Sequence, residues 1–236
     1  MTEKRRIDAI DALRGLAVIL MVIHHALYDA FALLGAPFWL YWNPVFAVLH
    51  YIFAGVFVAL AGVSSRFSRS NLRRGLACAL AAVIVSIVSY FAGDPIYFGV
   101  LHLLAVCMLL SSILVKYAER IQKPLAPLIV CALLTAASAV AMTVLNPVSV
   151  SWLFPVGLYT QEFVTGDYFP LFPWIFLFAA GVLSGGYIRD GKLPRGFYNF
   201  TTPILPKIGR RALWIYLAHQ PVLYGIMLLI SRFVAR

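Results

Sequence analysis

Long apolar runs alternate with short polar breaks along the whole chain, with no extended polar region between them. A helix needs roughly 20 apolar residues to cross a bilayer. By that measure there are seven candidate spans, at about 12–33, 44–64, 74–93, 97–116, 124–145, 168–188 and 210–231. Turn-forming residues separate several of them: Gly35-Ala36-Pro37, Asn43-Pro44, Gly93-Asp94-Pro95 and Asn146-Pro147. The stretch 148–167 is too polar and too broken to span. Its aromatics, Trp152, Phe154, Tyr159 and Phe163, suit the membrane interface or a cap over a cavity. The pattern predicts an all-α polytopic membrane protein, a bundle of about seven transmembrane helices in a single domain over 1–236.

Composition agrees. Hydrophobic residues make up 62% of the chain and charged ones 12%, against about 45–50% and 25% in soluble domains. The net charge of +10 would suit nucleic acid, but the cations lie between the apolar runs, so nucleic acid is not an expected partner. With the N-terminus inside, 17 of the 19 Lys and Arg residues fall on the cytoplasmic side. The positive-inside rule then predicts N-in, C-out. Lys4-Arg5-Arg6 precedes the first run with no small-residue cleavage site, which reads as a retained first helix rather than a signal peptide. Cys78, Cys107 and Cys131 sit inside apolar runs without CxxC spacing and read as small buried hydrophobes.

What changes the picture is polarity inside the spans. A charge at mid-membrane costs about 2.5–3.5 kcal/mol on insertion scales, so such residues usually face a cavity and act. "LRGLAVILMVIHHALYDA", residues 13–30, carries Arg14, His24, His25 and Asp29. Arg14 and His25 are three helical turns apart, on one face, about 16 Å along the axis. His25 and Asp29 are an i,i+4 pair on that face. Asp29 is therefore expected to hold one ring nitrogen of His25 and leave the other as a general base. His24 points about 100° away and is expected to be structural. Asp8 and Asp11 precede Arg14 and either neutralise it or cap the helix. His50, His102 and His219 fall on other spans, in the middle or outer half, which suggests an outward-opening polar cavity walled by the first, fourth and seventh spans. No HxxxH or HExxH motif is present, so no metal is expected. The stripe suits acid–base chemistry; it also suits a proton-coupled small-molecule transporter with a His–Asp relay. A scaffold without chemistry is disfavoured by the buried charges.

"DALRGLAVILMVIHHALYD" at 11–29 resembles the first-helix signature of small bacterial membrane proteins of the heparan-alpha-glucosaminide N-acetyltransferase catalytic-domain family. "FVALAGVSSRFSR" at 57–69, "FGVLHLLAVCMLL" at 98–110 and "GRRALWIYLAHQPVL" at 209–223 fit the same family. The Arg14-to-His25 spacing is similar to that of the wider membrane acyltransferases that acylate cell-surface glycans. The resemblance implies a multi-pass enzyme of the bacterial inner membrane. It would take an acyl group from cytoplasmic acetyl-CoA or another acyl-CoA and place it on an amine or hydroxyl acceptor, a small molecule or glycan reached from the outer side. It implies that Arg14, Arg73, Arg74, Arg210 and Arg211 hold the donor. His25 would be the base, Asp29 its orienting carboxylate, and His102, His219 and Gln220 substrate contacts. Membrane lipids are the other expected partners, and a homodimer is left open. In lysosomal members a histidine in the loop after the first helix is catalytic. Here that loop, "GAPFWLYWNP" at 35–44, has none, so either His25 does the work directly or this short member does something else. Where relatives tend to carry Ser or Asn before the last helix, this chain has Arg211-Ala212.

Overall fold

The structure is a computed structural model that describes residues 7–121 and 123–234. Lys4, Arg5, Arg6 and Arg236, which enter the charge distribution above, lie outside the described residues. Among the described residues, seven helical segments are long and apolar enough to cross a membrane, so the chain is a multi-pass membrane protein. The long helices are α1 (Asp8–Leu34), α3 (Pro44–Ser65), α4 (Asn71–Phe91), α5 (Val100–Ala118), α6 (Leu125–Leu145), α7 (Leu171–Arg189) and α10 (Ala212–Val234). Short helices α2 (Phe38–Tyr41), α8 (Arg195–Asn199) and α9 (Leu205–Arg210) lie between them, with a 3-10 helix at Ser151–Val156. The span containing α3 begins with α2, as Phe38–Ser65.

Local chemistry sets the helix ends. Asp8 and Asp11 occupy the first turn of α1, where carboxylates suit the helix dipole. α1 stops at Gly35, whose φ of 67° is left-handed and whose N–H returns to the Ala30 carbonyl. Asn43 caps α3: its Oδ1 accepts from the N–H groups of Val45 and Phe46 at 3.0 and 3.1 Å, with Pro44 in the first helical position. Ser70 caps α4 through the Arg73 N–H. α4 therefore begins earlier than the expected residue 74, because a cap allows polar Asn71 and Arg73 into its first turn. α5 begins later than the expected 97. Just before it, Phe98 bridges to Tyr168 in a parallel pair and Gly99 is extended.

The chain divides into two compact units. The first comprises the described residues up to Phe57 and those from Leu193 onward. Here α2, α8, α9 and α10 pack on α1. The approach of α9 to α1 is backbone on backbone. A Cβ on Gly15 would collide with the Leu205 carbonyl oxygen, and one on Gly209 with the Asp11 carbonyl oxygen. That closeness brings Arg210 onto the first turn of α1.

The second unit comprises Val58–Lys192. α4 packs on α5, α5 on α7 and α6 on α7. Cys107, Leu103 and Phe178 are fully buried there. The end of α3 meets α7 through glycines: a Cβ on Gly62 would strike the Phe178 carbonyl, and one on Gly181 the Ala59 carbonyl. Arg66, counted at sequence level among the loop cations, is buried, its side chain 3% exposed. Its Nη1 donates to the Val115 carbonyl at 2.9 Å and stands 3.7 Å from Glu119. Gly185 and Gly186 leave the room its side chain fills. Burial, reinforced by Arg189, pulls this guanidinium below its usual range, while Glu119 and Asp190 pull it back. The segment after α6 is pinned by Asn146, which donates to the Met142 and Gly157 carbonyls and accepts from the Tyr159 N–H, each at 2.8 Å. Its aromatics pack on one another, Phe154 on Phe163 and Tyr159 on Phe163. Burial and neighbouring Tyr159 push the Tyr168 phenol up to about 12.

Candidate functional site

The first unit holds four of the five histidines, His24, His25, His50 and His219, together with the carboxylate of Asp29. Asp29, one turn from the C-terminal end of α1, is buried, with 2% of its surface exposed. Its Oδ1 accepts a hydrogen bond from Gln220 Nε2 on α10 at 2.9 Å. The bond from His25 to Asp29 suggested by their spacing is not made. Instead the His25 ring packs against the His219 ring, centroid to centroid 4.9 Å at 59°. His24 turns the other way, 4.5 Å from the His50 ring and 5.1 Å from that of Tyr41. Four histidines, from α1, α3 and α10, thus stand in one row, His24 and His25 being 6.0 Å apart.

The hydrogen bonds fix several atoms in this cluster. His219 Nδ1 lies 2.6 Å from the Tyr216 carbonyl oxygen. A carbonyl only accepts, so Nδ1 carries the proton, and a neutral ring then presents Nε2 as a lone pair. The Gln220 amide nitrogen faces a carboxyl oxygen, so its Oε1 is the end left over. Asp29 Oδ2, Gln220 Oε1 and His219 Nε2 are all buried and have no hydrogen-bonding partner among the described residues. Each such group costs about 1–3 kcal/mol if nothing completes it. Three acceptor atoms on two packed helices are chemically suited to a ligand that donates hydrogen bonds. Pro221 follows at once; it has no N–H, so the α10 ladder is interrupted beside these residues.

The cations at the start of α1 are paired. Arg14 Nη1 donates to Asp11 Oδ1 at 2.9 Å. Arg210 donates from Nη2 to Asp8 at 2.9 Å and from Nε to Asp11 at 3.4 Å. Asp11 therefore couples two of the arginines expected to meet a donor, and Arg211, next in sequence, is exposed. Arg73 and Arg74 belong to the second unit. Arg73 is exposed, and Arg74 Nη1 reaches Asn71 Oδ1 at 3.5 Å.

His102, expected to touch substrate, also lies in the second unit. It sits in the first turn of α5, and its Nδ1 accepts from the Gly99 N–H at 3.2 Å. Its Nε2 must then carry the proton, and it stands 3.2 Å from Ser86 Oγ, which in turn donates to the Ile96 carbonyl. Nδ1 is thus engaged within the α5 start itself and Nε2 in tying that start to α4. The cluster in the first unit thus draws on His25, Asp29, His219 and Gln220 from the residues singled out by sequence. It adds His50 and Tyr41 beside His24. The one sequence signal for the α10 contribution was a polar His-Gln pair before a proline in an otherwise apolar run.

Comparison with known proteins adds one match. The family model described as heparan-alpha-glucosaminide N-acetyltransferase, catalytic, matches residues 6–221. No curated protein and no solved structure matches the chain.

Proposed function

The chain belongs to the heparan-alpha-glucosaminide N-acetyltransferase catalytic-domain family, and from that membership we propose that it moves an acetyl or other acyl group from cytoplasmic acyl-CoA to an amine or hydroxyl acceptor, a small molecule or sugar reached from the outer side. The observation that carries this reading is the trio of buried acceptor atoms, Asp29 Oδ2, Gln220 Oε1 and His219 Nε2. An amine or hydroxyl supplies the hydrogens they lack. The two imidazoles in contact, His25 and His219, stand beside them. An imidazole can take the proton as the acceptor attacks the thioester carbon, and a second can steady the oxygen on which charge develops. Asp29 and Gln220 would position the acceptor. The test is transfer of labelled acetyl from acetyl-CoA to a panel of amines, amino sugars and neutral sugars by the purified protein. Absence of any product, together with proton-coupled uptake in liposomes, would favour the transporter reading instead.

The donor is placed at the cationic end of α1. Arg offers a planar fork suited to phosphate oxygens, and Arg14, Arg210 and Arg211 are neighbours in sequence or share Asp11. Arg14→Ala is expected to reduce the thermal stabilisation that acetyl-CoA confers in detergent, with little change in the melting temperature of the unliganded protein. Equal shifts in wild type and variant would remove Arg14 from the donor site. Placing the donor in the cytoplasm requires the N-terminus inside and, with seven spans, the C-terminus outside, in a bacterial inner membrane. A reporter fused after residue 236 is expected to signal the outer face; a cytoplasmic signal would reverse that arrangement.

A further inference from the structure

We infer that His219, rather than His25, is the residue that takes the proton from the acceptor; this rests on the acyl-transfer reading above. The expectation from the α1 stripe was that Asp29 would set the tautomer of His25. In the structure Asp29 is bonded to Gln220, and His25 makes no hydrogen bond to any described residue. Nothing therefore selects which His25 nitrogen holds the proton. His219 is selected. Its Nδ1–H is committed to the Tyr216 carbonyl at 2.6 Å, so Nε2 is a lone pair with no partner among the described residues. The next residue, Gln220, and its partner Asp29 offer the two other buried acceptor atoms. A ring whose far nitrogen is held by a carbonyl is oriented and has one defined basic atom.

The acceptor oxygen or nitrogen uses its lone pair to bond the thioester carbonyl carbon, and its proton passes to His219 Nε2. The carbonyl pair moves onto oxygen, where His25 can donate a hydrogen bond. As that oxyanion collapses, the carbon–sulfur bond breaks and its electron pair leaves with sulfur. The imidazolium of His219 returns the proton to the sulfur, giving the free thiol. His219 ends neutral, with Nδ1 still bound to Tyr216.

The assignment is tested by the pH dependence of acetyl transfer. The titratable groups around His219 are its ring neighbour His25, then His24 and Asp29 of α1 and His50 of α3, with Tyr216 on its own helix; the cations of α9 lie away from it, Arg210 being bonded to Asp8 and Asp11 at the start of α1. A base must be unprotonated to act, so wild-type kcat/KM is expected to fall on the acid side. His219→Gln should lower transfer by about 10²–10⁴-fold and abolish that acid limb. His25→Gln should lower transfer but keep the limb. Added imidazole should partly restore His219→Ala and not His25→Ala. An acid limb that survives in His219→Gln, or rescue confined to His25→Ala, overturns the assignment while leaving acyl transfer intact. A wild-type protein that acetylates nothing in the panel overturns both. Should the His219 variants not survive purification, histidine ring-nitrogen NMR on the wild type decides. One ring is expected in the Nδ1–H form, and the absence of any such ring overturns the proposal.

Discussion

His25→Ala lowers acetyl transfer by about 10²–10³-fold while acetyl-CoA still stabilises the protein against heat. The magnitude is that of losing one preorganised donor to a developing oxyanion. His25 is suited to that role by what it does not do. It is packed on the His219 ring, yet its own nitrogens bond no described residue. A neutral ring whose single N–H was committed to a carboxylate or carbonyl would have to break that bond before donating to an oxyanion. The loss should fall on kcat, because an interaction made only in the transition state lowers kcat and kcat/KM together. Asp29→Asn should cost less. The amide oxygen can still accept from Gln220, while the group that replaces Oδ2 changes from acceptor to donor. His24→Ala should change transfer little, since that ring turns toward His50 and Tyr41. Steady-state kinetics on the three variants checks the order. Abolition by His24→Ala with His25→Ala unaffected would mean that the reacting face of α1 has been misplaced.

Gly209→Leu destabilises the protein in detergent, by at least the roughly 1–3 kcal/mol typical of overpacking, and reduces transfer with it. The reason is that the atoms in the way belong to the backbone. A Cβ at Gly209 would overlap the Asp11 carbonyl oxygen and press on the Gly15 N–H, and Gly15 itself is held against Leu205 in the same manner. Side chains rotate away from a clash; a helix backbone moves only as a body. Displacing α9 from α1 would also draw Arg210 off Asp8 and Asp11, so donor binding should weaken as well. Gly196→Ala serves as the control, because a Cβ there meets nothing within 4 Å. An unchanged melting temperature for Gly209→Leu would show that α1 and α9 do not approach at this distance in the membrane.

Several features of this chain could be read without its structure, because they depend only on neighbours in sequence. Seven apolar runs become seven spans since an unpaired backbone is costly in lipid and a helix satisfies it locally. Asn43-Pro44 starts α3 because both the capping oxygen and the N–H groups it serves lie within three residues. The Arg14–Asp11 pair is likewise one turn of one helix. The helical period also put Arg14, His25 and Asp29 on one face, and the family motif around them was legible in the same stretch. Which atoms that face meets was decided elsewhere. Asp29 takes Gln220, 191 residues away, in place of His25. His219 is held by its own helix through Tyr216 but packs against His25 of another. His102 is used up by the start of α5 and by Ser86. α9 escaped notice because its six residues carry too short a pattern to stand out from a loop, and it is held by the two glycines that let it touch α1. Periodicity specifies the direction in which a side chain leaves its helix; the partner it finds depends on how closely two helices can approach. In this chain that approach is set by residues as small as Gly15 and Gly209, whose effect appears only when both backbones are in place.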